Sequence, residues 1–152
     1  MTALAYEDID ALVRSIWAAG WAAHPDVPTF WRAQEVGVLP DPRVTPHFMR
    51  NELTYGRETT VAFGGGRFAA SKIKNGSVVM RVFSDVNLAN DTVALGLLSD
   101  AEAVFRSLRS GALSFIGGMS GFDEDDSNAA LVDAGNWTMR GSMVVWEYRF
   151  TG

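Results

Sequence analysis

The chain contains no cysteine. That excludes a disulfide framework, a thiol nucleophile and a thiolate metal site, and it agrees with a reducing compartment. Only two histidines are present, His24 and His47, and neither belongs to a two-histidine helical metal motif. Charge is also scarce, at 20% of 152 residues, where about 25% is usual. No run approaches the ~18 consecutive apolar residues of a membrane-spanning helix. Met1-Thr2-Ala3-Leu4-Ala5-Tyr6-Glu7-Asp8 has no basic stretch of the kind that opens a secretory signal. A soluble, cytoplasmic product is the expectation. With 18 acidic against 13 basic residues and a net charge of −5, the chain is also not composed as a general nucleic-acid binder, whose affinity rests on neutralising phosphates.

What is present is apolar. Hydrophobic residues make up 47% of the chain and are spread evenly along it, which argues for a packed core over disorder. The length fits one domain, residues 1–152.

Ile9, Leu12, Val13, Ile16 and Trp17 recur at helical spacing, with Glu7, Asp8, Asp10 and Arg14 off that stripe. They predict an amphipathic helix over residues 5–20, ended by Gly20, Pro25 and Pro28. Short β-prone runs follow at 29–33, His47–Tyr55 and Thr59–Phe63, and another at 67–74 after Gly64-Gly65-Gly66. Asn75-Gly76, set between that run and residues 77–84, predicts a tight hairpin turn. A second helix is expected over 92–109, with Asp91 as N-cap and Leu95, Leu98, Ala101, Val104 or Phe105, and Leu108 as its apolar stripe. Arg106 and Arg109 fall in its last turn, and Gly111 is placed to end it. Strands are expected at 112–117, 129–134 and 137–150, the last putting Val144, Trp146, Tyr148 and Phe150 on one face, with Gly135-Asn136 as a turn. Helices do not alternate regularly with strands. The expected fold class is therefore α+β, a largely antiparallel curved sheet with two helices packed on one face and a mid-chain hairpin.

Catalytic motifs are weak. Gly118-Met119-Ser120-Gly121 is one residue short of a nucleophile elbow, although a Ser-His-Asp set assembled in space stays open at this point. Gly64-Gly65-Gly66 runs into Arg67-Phe68, where a phosphate-binding loop needs Gly-Lys-Ser/Thr. It reads as a loop between strands. In the acidic run Asp123, Glu124, Asp125, Asp126, the calcium-loop positions that need Gly and Glu hold Asn128 and Ala134. A solvated loop is the default there.

The charge distribution says more. Residues 43–81 hold seven bases (Arg43, Arg50, Arg57, Arg67, Lys72, Lys74 and Arg81) against Glu52 and Glu58. Residues 1–42 hold six acids against two arginines, and residues 121–135 hold five acids and no base. Chance clustering on a solvated surface is one reading. The other is a polar protomer whose positive side meets the negative side of another copy, a heterologous contact that closes into rings or runs into filaments.

An N-terminal amphipathic helix leads to Pro28-Thr29-Phe30-Trp31, then to Pro46-His47-Phe48-Met49-Arg50 and the glycine loop. Gly76-Ser77-Val78-Val79-Met80-Arg81-Val82-Phe83 precedes a short linker, a helix over 94–105 with Ser99-Asp100-Ala101-Glu102 at its centre, and a closing strand led by Trp137. In this order and spacing, over nearly the whole chain, the features resemble the tail terminator family of long-tailed bacteriophages. The linker at 85–91 departs from the small Gly-rich stretch often seen there.

The resemblance implies a virion structural protein, not an enzyme, with no cofactor and no metal. It implies an α+β fold and a hexameric ring of identical copies that caps the growing tail tube and ends its polymerisation. The ring would present a joining surface to the head, with a long mid-chain hairpin or loop taking part in contacts. Partners would be other copies, the major tail tube protein and a head-completion or connector protein. DNA would only pass through the lumen, without sequence-specific binding, and no membrane would be involved. The expected location is the head-proximal end of the tail, after assembly in the host cytoplasm. Arg57, Arg67, Lys72 and Lys74 are the expected contacts with a neighbouring subunit or the tube. Asp123, Glu124, Asp125 and Asp126 would pair with that segment or line the lumen. The alternatives are a head-completion ring protein of the same assembly, or a small α+β enzyme or ligand-binding domain with an apolar pocket between helix and sheet.

Overall fold

The computed structural model describes residues 4–31, 42–63, 70–85, 91–106, 108–122 and 137–151. Helix α1 (Tyr6–Gly20) forms where the periodicity places it, with Ile9, Val13 and Trp17 buried and Leu12 and Ile16 partly so. Glu7 and Asp8 lie in its first turn, where the helix dipole favours acids. Asp8 Oδ2 also accepts the Ala5 N–H at 3.1 Å. Gly20 is the last helical residue. A Cβ there would lie 2.7 Å from Val104 Cγ1, so this glycine lets the end of α1 approach α2 (Asp91–Phe105).

The strands are β1 (Thr29–Trp31), β2 (His47–Tyr55), β3 (Thr59–Phe63), β4 (Ala70–Asp85), β5 (Arg109–Ser110), β6 (Leu113–Phe122) and β7 (Trp137–Thr151). They form one sheet in the order β1-β2-β4-β7-β6-β5, with β3 also on β4. Only the β1–β2 pair is parallel. Two helices on a mostly antiparallel open sheet is an α+β fold, as the element order predicts.

Several elements differ from the sequence expectation. Asn75-Gly76 makes no turn. Both residues sit inside β4, where Gly76 pairs with Tyr55 on one side and with Trp146 on the other. A turn would forfeit two ladders at once, and two long partner strands outweigh the local preference of a dipeptide. Residues 64–69, between β3 and β4 in the chain, lie outside the described residues. Gly111 does not cap α2, which ends at Phe105. It lies between β5 and β6 with φ +60°. Arg106 pairs with Glu102, and Arg109 belongs to β5. On α2 the buried stripe is Ala94, Leu97, Leu98, Ala101 and Phe105, while Leu95 is 48% exposed. The expected strand at 129–134 and the Gly135-Asn136 turn lie outside the described residues.

One continuous core fills the space between the helices and one face of the sheet. It joins Ile9, Val13 and Trp17 of α1 and the α2 stripe to Met49, Val78, Met80, Val82, Val144, Trp146 and Tyr148. Each such large side chain, fully buried, contributes ~1.5–3 kcal/mol before entropy is counted. Trp17 stacks on Trp21 at 4.7 Å and donates its indole N–H to Thr29 Oγ1 at 2.9 Å. That bond ties α1 to the edge strand β1. On the opposite face Phe48, Phe83, Trp137 and Met139 form a second cluster, with Phe48 and Phe83 stacked at 4.8 Å.

Candidate interaction surfaces

β2 and β3 run end to end along the same side of β4, interrupted at Gly56-Arg57-Glu58. Gly56 N–H still reaches Asn75 O at 2.7 Å across the interruption. Together, residues 47–63 and 70–85 make one long antiparallel hairpin. At ~3.3 Å per residue, its 16-residue strand β4 extends about 50 Å. The N-terminus of α1 is fixed partway along, where Lys74 Nζ donates to Leu4 O at 2.9 Å and Leu4 N–H donates to the Tyr148 hydroxyl at 3.2 Å. Beyond that level neither helix packs extensively on β3. β3, the adjoining end of β4 and the end of β7 form a β-arm.

The arm carries two of the sequence-predicted contact residues. Arg57 is exposed at the β2–β3 junction and has no partner among the described residues. Lys72 is half-buried, with Nζ 3.3 Å from Glu58 Oε1. Lys74 is placed differently from its expected role: it is buried, its amine held by Leu4 O and lying 4.7 Å from the Tyr6 ring and 5.5 Å from Phe150. Arg81, part of the same basic segment, is also buried and lies 3.5 Å from Glu52. Arg67 and the acidic residues Asp123, Glu124, Asp125 and Asp126 lie outside the described residues.

Both histidines serve local structure. His24 Nε2 lies 3.0 Å from Asp100 Oδ2, and its ring sits 4.3 Å from Trp21, joining the end of α1 to α2. His47 Nδ1 lies 2.9 Å from Ser84 Oγ. Burial pushes the His47 pKa below the ordinary histidine value, and the Asp85 charge opposes that shift. Ser84, His47 and Asp85 thus form a Ser-His-Asp grouping, in which Ser84 is buried. Among the described residues no group of three or more His, Asp and Glu is placed to hold a metal ion. No described helix is long and apolar enough to cross a membrane.

A second feature was not legible in the sequence. Between the flank of α1 and the β1–β2 edge lies a cleft of about 650 Å³. The rings of Tyr6, Trp31 and Tyr55 and the carboxyls of Glu7, Asp10 and Glu52 line it, together with Arg14 and Leu53. Arg14 pairs with Asp10 at 2.9 Å and places its guanidinium 5.0 Å from the Trp31 ring. Tyr6 and Tyr55 meet edge to face at 4.8 Å and stay substantially exposed. Burial and then the Asp10 charge raise the Tyr55 pKa above the usual phenol value, against the opposing effect of Arg14. The only prior signal was the spacing of Tyr6, Asp10 and Arg14, which puts them on one side of a helix. Their partners on β1 and β2 come from pairing that no local pattern specifies.

No protein-family model matches the chain, and no curated protein matches it. A solved structure whose name states no function is similar over 97% of this chain and 98% of its own, with a TM-score of 0.61 and 13% identity. At that identity the likeness is one of fold, and it agrees with the α+β architecture.

Proposed function

We propose that this chain is a structural protein of a phage tail. Copies would assemble as a ring, six in number by resemblance to the tail terminators, that caps the tail tube, ends its growth and offers a surface to the head. The observation that carries the reading is the β-arm. Long exposed edge strands invite pairing with other chains, and monomeric proteins blunt or cover them. Here the hairpin runs past the helix layer and carries at its base Arg57, a cation with no partner among the described residues. Such an arm suits a contact between copies or with the tube. The separation of basic residues 43–81 from acidic residues 1–42 favours head-to-tail contacts, the kind that close a ring. With 18 acids against 13 bases, the chain suits a lumen that lets DNA pass without adhering.

The test is sedimentation with negative-stain microscopy, on the protein alone and mixed with tail-tube subunits. Rings of uniform diameter, or caps at tube ends that stop elongation, are the expected result. A protein that stays monomeric at high concentration and leaves tube growth untouched in the mixture sinks the proposal.

A further inference from the structure

We infer that the cleft between α1 and the β1–β2 edge is a binding site for a guanidinium group. Its volume, about 650 Å³, falls within the ~300–1,000 Å³ common for ligand sites. Its lining joins aromatic faces to carboxylates, the pairing that recognises an organic cation. The protein already uses this chemistry once in the cleft, where Arg14 lies over Trp31 while paired with Asp10.

Capacity remains after those internal contacts. Glu7 lines the cleft and has no partner among the described residues. Asp10 is engaged by Arg14, and Glu52 by Arg81 and by a further contact, so the remaining capacity is that of Glu7. Tyr55 is 46% exposed and Tyr6 37%, so two phenol rings present apolar surface at the mouth. A planar guanidinium can lie against such a ring and bond a carboxylate in its plane. A more strongly hydrated ammonium does this less well. A carboxylate or phosphate ligand would face Glu7, Asp10 and Glu52 with Arg14 alone in its favour. The group has two possible carriers, a free alkylguanidine or an arginine side chain of a second copy. The site itself does not depend on the ring reading, because binding is measured on the single chain.

The experiment is an NMR titration of dilute protein with butylguanidine, following the Trp31 indole N–H and the ring protons of Tyr6 and Tyr55. The neutral analogue butylurea and the ammonium analogue butylamine serve as controls. Saturable shifts with butylguanidine, absent with butylurea, weaker with butylamine and weakened about fivefold in Glu7→Gln, are expected for a free ligand. If an arginine of another copy is the natural occupant, the same resonances move as protein concentration rises without butylguanidine. Butylguanidine then reverses the change, and Glu7→Gln suppresses it. Equal binding of butylurea or butylamine, an unchanged response in Glu7→Gln, or resonances still under both butylguanidine and concentration would overturn the site. Failure to form rings would leave the butylguanidine result standing, so the two proposals fail separately.

Discussion

Lys74 shows how a single position can be misread from charge alone. Lys74 stands in a basic run, yet its ammonium is drawn inward by a backbone carbonyl and two rings. An isolated buried cation is costly, and those partners offset its desolvation. His47 is held partly out of water beside Ser84, and burial lowers its pKa below 6.5. The unfolded chain then binds a proton at this site more readily than the folded chain does. Its contribution to stability is complete above pH 6.5 and is lost as pH falls through the lowered folded-state value. Urea midpoints of the wild type should therefore drop between pH 7.5 and pH 5 by more than those of His47→Asn. Asparagine keeps a hydrogen-bonding side chain beside Ser84 but does not titrate. Equal slopes for the two proteins would show that the His47 proton is not linked to folding.

At the scale of elements, the most legible pieces were those whose own periodicity decides them. Helix α1, β2 and β3 form at the expected boundaries or within a residue, because an amphipathic stripe or an alternating run carries its own instruction. Asn75-Gly76 misled because its glycine is required by packing across strands. Tyr55, Gly76 and Trp146 form one row of the sheet, and the two aromatic rings meet edge to face at 6.1 Å over the glycine. A Cβ at Gly76 would stand 2.7 Å from the Trp146 ring and collide with the Thr54 carbonyl oxygen. On α2 the low contrast between faces blurred the stripe, since Val93 and Leu95 are apolar yet nearly half exposed. The cleft was illegible for a different reason: it joins a helix flank to strands whose register is set by the whole sheet. Gly76→Ala discriminates strand from turn. In a turn at an exposed tip the change would cost about 1–2 kcal/mol for the left-handed backbone, whereas in the Tyr55–Trp146 row it should cost about 3 kcal/mol or more. Denaturant unfolding measures the difference.

For the whole molecule, the net charge of −5 conceals an arrangement. Of the basic residues in 43–81, Lys74 and Arg81 are buried and engaged, so among the described residues of the arm the usable positive charge is that of Arg57 and Lys72. Lys72 is already 3.3 Å from Glu58, so its contribution to a contact between copies is smaller than that of Arg57. Exposed charges of this kind act mainly on encounter and orientation, and they are screened over about 8–10 Å at physiological ionic strength. If the arm seats against an acidic surface of a neighbour or of the tube, Arg57→Glu should slow assembly and lower the yield of rings or caps. Thermal stability should change little, because the side chain is exposed and holds no internal partner among the described residues. Lys72→Glu should do less to assembly and more to the arm itself, since it sets two carboxylates side by side. Raising salt should weaken wild-type assembly and narrow its gap from Arg57→Glu. Sedimentation of both variants across a salt series checks the order. Assembly of Arg57→Glu at the wild-type rate in low salt would remove the charge of Arg57 from the account and leave the arm's strand edge, unpaired among the described residues, as the contact to test next.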